Sequence, residues 1–297
     1  MLIANFKLRI TNSSFWVGSS LFLCLLFVFS TNILGQNPDT LAEIINRGSV
    51  EQKRDALSQI RNLQTAEASR IAVPALKDSA EIVRATAVFS IVYLPPDEAL
   101  AVLSPNLQDK SALVRRETAY ALGKVGNRNA TDLLLQLFQD DKIIEVKNAA
   151  VVALGEIGDV SAVAELIKIL QRKFSSKEDF LRRSAARSIG QIAQIIQTGE
   201  TKVLTPENFL REKSVGNEIL KYENSNERLP IFQTAATILI QILQTRKEAD
   251  DVRREAAFAL GTIADKSAAA VLRANLNAED YYLAEICREA LLKLENN

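Results

Sequence analysis

One phrase is written twice in the middle of this chain: VRRETAYALGKVGN from Val114 and VKNAAVVALGEIGD from Val146, the second starting 32 residues after the first. In the first copy Val114, Thr118, Ala121, Leu122 and Val125 fall at offsets 0, 4, 7, 8 and 11, one stripe of an α-helix. In the second, Val146, Ala150, Ala153, Leu154 and Ile157 repeat it. With the first apolar position as reference, copies fall at Gln52, Val83, Val114, Val146, Leu181, Val252 and Ile286, at intervals of 31, 31, 32, 35, 71 and 34. Before each copy lies a shorter amphipathic segment, from Leu41–Ile45 at one end to Ala268–Leu276 at the other. The unit is therefore two antiparallel helices joined by short turns, at a period typical of helical solenoids. The fold class is all-α, a solenoid of about seven helix pairs over residues 39–297.

Two further rows run through the copies. Gly123, Gly155, Gly190 and Gly261 share offset 9, in mid-helix, where glycine costs about 1 kcal/mol relative to alanine. Its recurrence implies close approach of a neighbouring helix. At offset 1 stand Lys53, Arg84, Arg115, Lys147, Arg182 and Arg253, followed by Cys287. Asp78, Asp109 and Asp141 lie six residues before three of these bases. Stacking puts these charges in a ladder along the solenoid, each base able to bridge an aspartate of its own or the adjacent turn.

The pattern V-R-x-x-A-x-x-A-L-G-x-I-G-D, together with this ladder, resembles HEAT repeats, in the short form also found in phycobilin lyases. The resemblance is strongest around Val114–Asp159 and Val252–Asp265 and weakest in the first and last units, as expected of capping repeats. It implies that the second helices line a concave, partner-binding face.

Two segments fall outside the pattern. Lys7 and Arg9 precede an apolar run, Phe15–Phe29, so residues 1–35 read as an export signal; an uncleaved anchor over residues 15–34 is the alternative. The 71-residue interval contains an insertion, residues 197–229, in which Thr205-Pro206-Glu207 opens a short helix through Lys213. An insertion of that length either binds or covers something or is a passive excursion.

Composition narrows the chemistry. The formal charge is zero; without Lys7 and Arg9 of the leader, 34 basic face 36 acidic side chains, a net −2 that argues against nucleic acid as partner. Histidine is absent, which removes imidazole bases and most zinc or iron sites. An iron-dependent hydroxylase on HEAT repeats would need His-Glu metal pairs, so that version is excluded, and no metal or cofactor is expected. With Cys24 in the leader, Cys287 stands alone, either an inert or a reactive thiol. No phosphate-cradling glycine loop or nucleophile elbow is present.

The candidate site residues lie on the side opposite the buried stripe. Offset 6 includes Phe89, Tyr120, Val152 and Phe258, an apolar groove if exposed. Offset 2 includes Arg116, Arg183 and Arg254, which either hold anionic groups of a partner or pair with neighbours such as Glu117 and Glu255. The expectation is an exported, non-enzymatic scaffold that binds another protein through these residues and meets a membrane only through its N-terminal segment. A phycobilin-lyase-like enzyme or chaperone is the alternative, in conflict with the leader because those lyases act inside the cell.

Overall fold

A computed structural model describes residues 37–172, 178–199 and 229–295. Residues 1–36, where an export signal was expected, and residues 200–228, with the helix expected at Thr205–Lys213, lie outside the described residues. Among the described residues every regular element is helical. Seven pairs follow one another: α1 (Pro38–Arg47) and α2 (Val50–Leu63), α3 (Ala66–Ala72) and α4 (Glu81–Ser90), α5 (Pro96–Leu103) and α6 (Ala112–Val125), α7 (Thr131–Asp140) and α8 (Ile144–Ile157), α9 (Val163–Gln171) and α10 (Asp179–Thr198), α11 (Pro230–Gln244) and α12 (Asp250–Ile263), and α13 (Ala269–Ala274) and α14 (Tyr281–Glu295). The even-numbered helices stack in order, α10 on α12 included, so the long interval does not interrupt the pile.

The turn residues explain the boundaries. Asp78, Asp109, Asp141 and Asp280 each accept the backbone N–H two residues on, from Ala80, Ser111, Ile143 and Tyr282, and so open α4, α6, α8 and α14. α6 and α8 end at Gly126 and Gly158, at φ 71° and 73°, in the left-handed region where glycine carries no Cβ penalty. α12 ends the same way with Ala264 at φ 56°. Pro74 and Pro105 sit in 3-10 turns that follow α3 and α5, consistent with the missing donor of proline.

The core is one continuous band. Val114, Ala121 and Leu122 are fully buried in α6, as are Val146, Ala150 and Ala153 in α8. The glycine row does what close approach requires: a Cβ on Gly123 would lie 2.8 Å from Ala153 Cα, one on Gly155 2.5 Å from Ser188 Oγ, and one on Gly190 2.8 Å from Phe258 Cε1. Each glycine is thus the seat of the following even-numbered helix.

The charge ladder is present and has a direction. The first three bases reach the turn of the following unit: Lys53 to Asp78 at 2.6 Å, Arg84 to Asp109 at 2.7 and 2.8 Å, Arg115 to Asp141 at 2.6 and 3.1 Å. The Nη1 of Arg84 and Arg115 donates to its own turn, to the carbonyls of Asp78 and Asp109. Arg182 follows the same plan with Glu248 as acceptor. Two rungs differ: Lys147 donates to the carbonyls of Phe138 and Gln139, and Arg253 to Asp250 and Asn275.

The register of the last unit needs correction. In α6, α8, α10 and α12 the reference residue is the third of the helix, and in α14 that residue is Leu283, not Ile286. Leu283 lies 31 residues after Val252, a regular interval. Cys287 then falls at offset 4 with Thr118 and Ala150, fully buried, and does not stand in place of a base.

Candidate functional site

The groove expected at offset 6 is interrupted. Phe89, Tyr120 and Val152 are half-buried. Phe258 is fully buried, because its ring fills the space that Gly190 leaves open, so it cannot serve as an anchor for a partner. The residue of α14 at this offset, once the register is corrected, is Glu289.

The arginines of offset 2 are engaged by carboxylates, mostly from another unit. Arg116 donates to the adjacent Glu117. Arg183 meets Asp251 at 3.2 Å, and Arg254 meets Asp280 at 2.5 Å. Glu255, beside Arg254 in sequence, instead receives Arg187 from α10. Arg183 and Arg254 side chains keep about a third of their surface exposed, 34% and 33%, so the strip is an ion-pair network at the surface rather than a row of open anion receptors.

Two polar groups on α8 escaped the sequence reading. Glu156 follows the seat glycine Gly155, and its own carboxylate lies over the preceding seat: a Cβ on Gly123 would be 2.5 Å from Glu156 Oε2. Burial pushes its carboxyl above the usual glutamate range, against the pull of Lys124. Asn148, at offset 2 where neighbouring units have arginine, is 1% exposed, and its Oδ1 has no hydrogen-bond partner. The signal for both was divergence within the duplicated phrase: Lys124 against Glu156, and Arg116 against Asn148.

Other chemistry is limited. Among the described residues no group of three His, Cys, Asp or Glu is placed to hold a metal ion. Cys287 is buried, and that burial pushes its thiol up to about 12, against the pull of Arg253. It is an inert thiol.

The chain matches the family description HEAT repeats over residues 69–155. It matches PBS lyase HEAT-like repeat over residues 146–172 and 252–278. Deoxyhypusine hydroxylase-B of Oryza sativa subsp. japonica is 25% identical over 268 residues, 83% of this chain and 88% of the relative. Deoxyhypusine hydroxylase of Arabidopsis thaliana is 28% identical over 226 residues, 75% and 68% of the two chains. Among solved structures, the complex of CpcE and CpcF of phycocyanin lyase from Nostoc sp. PCC7120 covers 88% of this chain and 92% of its own, at 18% identity and a TM-score of 0.47.

These relatives overturn two expectations. A non-enzymatic scaffold is not sustained for a chain similar over most of its length to proteins named as hydroxylases. The repeat pattern misled because the same solenoid carries binding proteins and enzymes alike. The expectation of an exported or anchored chain falls on the same finding. It rested on residues 1–35, outside the described residues, and among the described residues no helix is long and apolar enough to cross a membrane.

Proposed function

The chain is built of HEAT repeats, part of them of the phycobilin-lyase-like kind, and from that premise we propose that it is an enzyme acting on an amine-bearing side chain of a protein, of the class that the name deoxyhypusine hydroxylase describes. The observation that carries this reading is the reach of the similarity, which extends over 83% of this chain and 88% of the rice relative.

The donor set of a HEAT-repeat hydroxylase does not fit this chain. Such an enzyme needs His-Glu pairs around a metal; the sequence has no histidine, and the described residues hold no metal-binding cluster. No step is therefore routed through a metal, and the reading is confined to an enzyme and its substrate class. Glu156 is the residue suited to such a substrate. Its carboxylate lies over Gly123 and is half-buried, so it can accept a hydrogen bond from an amine, and its raised pKa suits it to exchange a proton there.

The test is to incubate the whole chain with a protein carrying deoxyhypusine, and to measure binding and the intact mass of the product. Binding and a mass change are expected, both reduced about tenfold or more by Glu156→Gln with the circular dichroism unchanged. If the protein neither binds nor changes in mass, the reading fails.

A phycobilin-lyase-like enzyme or chaperone is the second reading, supported by the PBS lyase HEAT-like matches at residues 146–172 and 252–278. It requires that the chain shift the visible absorbance of an added bilin; an unchanged spectrum removes it.

A further inference from the structure

Of the helices α1 to α14, α11 is the one that holds no Asp, Glu, Lys or Arg among the described residues. It reads PIFQTAATILIQILQ. It packs on α12 between α9 and α13, and its apolar side is buried there. The opposite side is exposed and built of two residue types: Gln233, Thr234, Thr237, Gln241 and Gln244, continued by Thr245 at the C-cap. These positions are symmetric about Leu239. They lie two, five and six residues to either side of it, and each symmetric pair holds one threonine and one glutamine: Thr237 with Gln241, Thr234 with Gln244, Thr245 with Gln233.

A two-fold axis crossing α11 at Leu239 sets every glutamine of one copy opposite a threonine of another copy running antiparallel to it. A long side chain then meets a short one at each pair, so the two faces interdigitate at the usual helix separation of about 8–10 Å. The hydrogen-bonding groups match as well. The Thr237 and Thr245 hydroxyls donate to the carbonyls of Gln233 and Gln241 of their own helix, at 3.0 and 2.8 Å. Their oxygens keep lone pairs that can accept an amide N–H from a glutamine across the axis. Charge selects the same occupant. An isologous contact brings a face against its own copy, where an unmatched charge meets its like; α11 has none. The charges on its flanks are paired within each copy, Lys168 of α9 with Glu165 at 2.9 Å and Arg273 of α13 with Glu295 at 3.2 Å. Arg246 and Lys247 lie beyond Thr245, and the antiparallel arrangement holds the two copies of Arg246 about 20 Å apart along the helix. A partner of different sequence is steered and selected by complementary charge, which this face does not offer.

We infer that α11 is the contact through which two copies of this chain form an antiparallel, two-fold dimer. From Gln233 to Thr245 the stripe is about 18 Å long, so the contact is small and the dimer is reversible, forming at micromolar concentration. The helix that carries Glu156, α8, is not part of it, and its test does not depend on the proposed reaction.

Sedimentation velocity of the whole chain, from low to high micromolar concentration, is expected to show a monomer–dimer equilibrium. Thr237→Glu with Gln241→Glu gathers like charges from both copies around the axis and is expected to raise the dissociation constant about tenfold or more. Circular dichroism should be unchanged, because both positions are exposed. Thr237→Lys and Gln241→Glu, each made alone, should dimerise less than the parent chain. Their equimolar mixture should recover the dimer, since the base of one copy then faces the acid of the other. A chain that stays monomeric throughout leaves the face to some other occupant and overturns the inference. So does a dimer that the paired glutamate substitutions leave intact, or a mixture no more dimeric than its components.

Discussion

Replacing Glu248 by alanine tests how α10 is joined to α12. Arg182 and Glu248 side chains are 4% and 3% exposed. The guanidinium meets both carboxylate oxygens, at 3.0 and 2.7 Å, and its Nη1 donates to the carbonyls of Leu170 and Arg172 at 2.7 and 3.1 Å. Glu248→Ala leaves that guanidinium buried with its counter-charge gone, which costs about 3–5 kcal/mol. In a chain of this size the melting temperature should fall on the order of 10 °C. Arg182→Met combined with Glu248→Leu removes both charges together and should recover most of the loss, because two apolar side chains of similar volume carry no desolvation debt. The exposed Arg70–Glu98 bridge, with side chains 48% and 36% exposed, is the control, and Glu98→Ala should leave the melting temperature close to that of the parent chain, because solvent screens the pair. The assay is urea and thermal denaturation of the parent chain and these three variants, followed by circular dichroism. The reasoning is refuted if Glu248→Ala is no worse than Glu98→Ala, or if the double variant is as unstable as the single one.

Gly123→Ala gains about 1 kcal/mol of helix propensity but places a methyl 2.8 Å from Ala153 Cα, and overpacking against backbone, about 1–3 kcal/mol, should make it net destabilising in urea. Ala264→Gly should raise the melting temperature by the equivalent of about 1 kcal/mol, since its φ of 56° carries a Cβ penalty that glycine lacks; no change would show that the cap is unstrained. Acid should loosen the ladder. Asp109 is lowered chiefly by the Arg84 hydrogen bonds; for Asp78 and Asp141 burial is the largest single influence and pushes upward, but the bonds from Lys53 or Arg115 and from backbone N–H groups together outweigh it. Their stabilisation is complete above the ordinary value of 3.8 and is lost below it, as pH falls through their lowered folded-state values. Glu156, raised from 4.5, acts oppositely and favours the folded state only as pH drops, so Glu156→Gln should steepen acid unfolding while substitution of Asp109 by asparagine flattens it. The Cys287 thiol, pushed up to about 12, should resist alkylation at pH 8 in the native protein and react only in denaturant.

Much of the fold was legible because each unit writes its packing in few residues. Val114, Ala121 and Leu122 fix one buried face, Gly123 fixes where the next helix sits, and Arg115 with Asp109 marks the turn. The direction of the ladder was not legible: Arg115 has Asp109 six residues behind it and Asp141 26 ahead, and spacing alone does not choose between them. The register of α14 was misread because Leu283 and Ile286 both start an apolar stripe, and only the helix start at Tyr281 separates them. Phe258 was placed on an open face by its offset, yet a glycine on the neighbouring helix turned that position into core. Glu156 was missed for a related reason: whether a carboxylate is solvated or sealed depends on the unit behind it, not on its own helix. What the repeat shares could be read along the chain, and what a single unit does differently depended on its neighbours.

The aspartates that open α4 and α6 give those two units two mating ends. Asp109 shapes the start of its own unit and receives Arg84 from the unit before, while Arg115, six residues on, reaches forward to Asp141. Every such module therefore carries a socket at its front and a plug at its back. Duplicating one by unequal recombination, or deleting one, leaves no orphaned charge, provided the cut falls between plug and socket. Lengthening the chain by copying is thus chemically silent at the joints. Where a long detour separates two modules, the same joint survives with one adjustment: Glu248 replaces aspartate, and its extra methylene supplies additional reach.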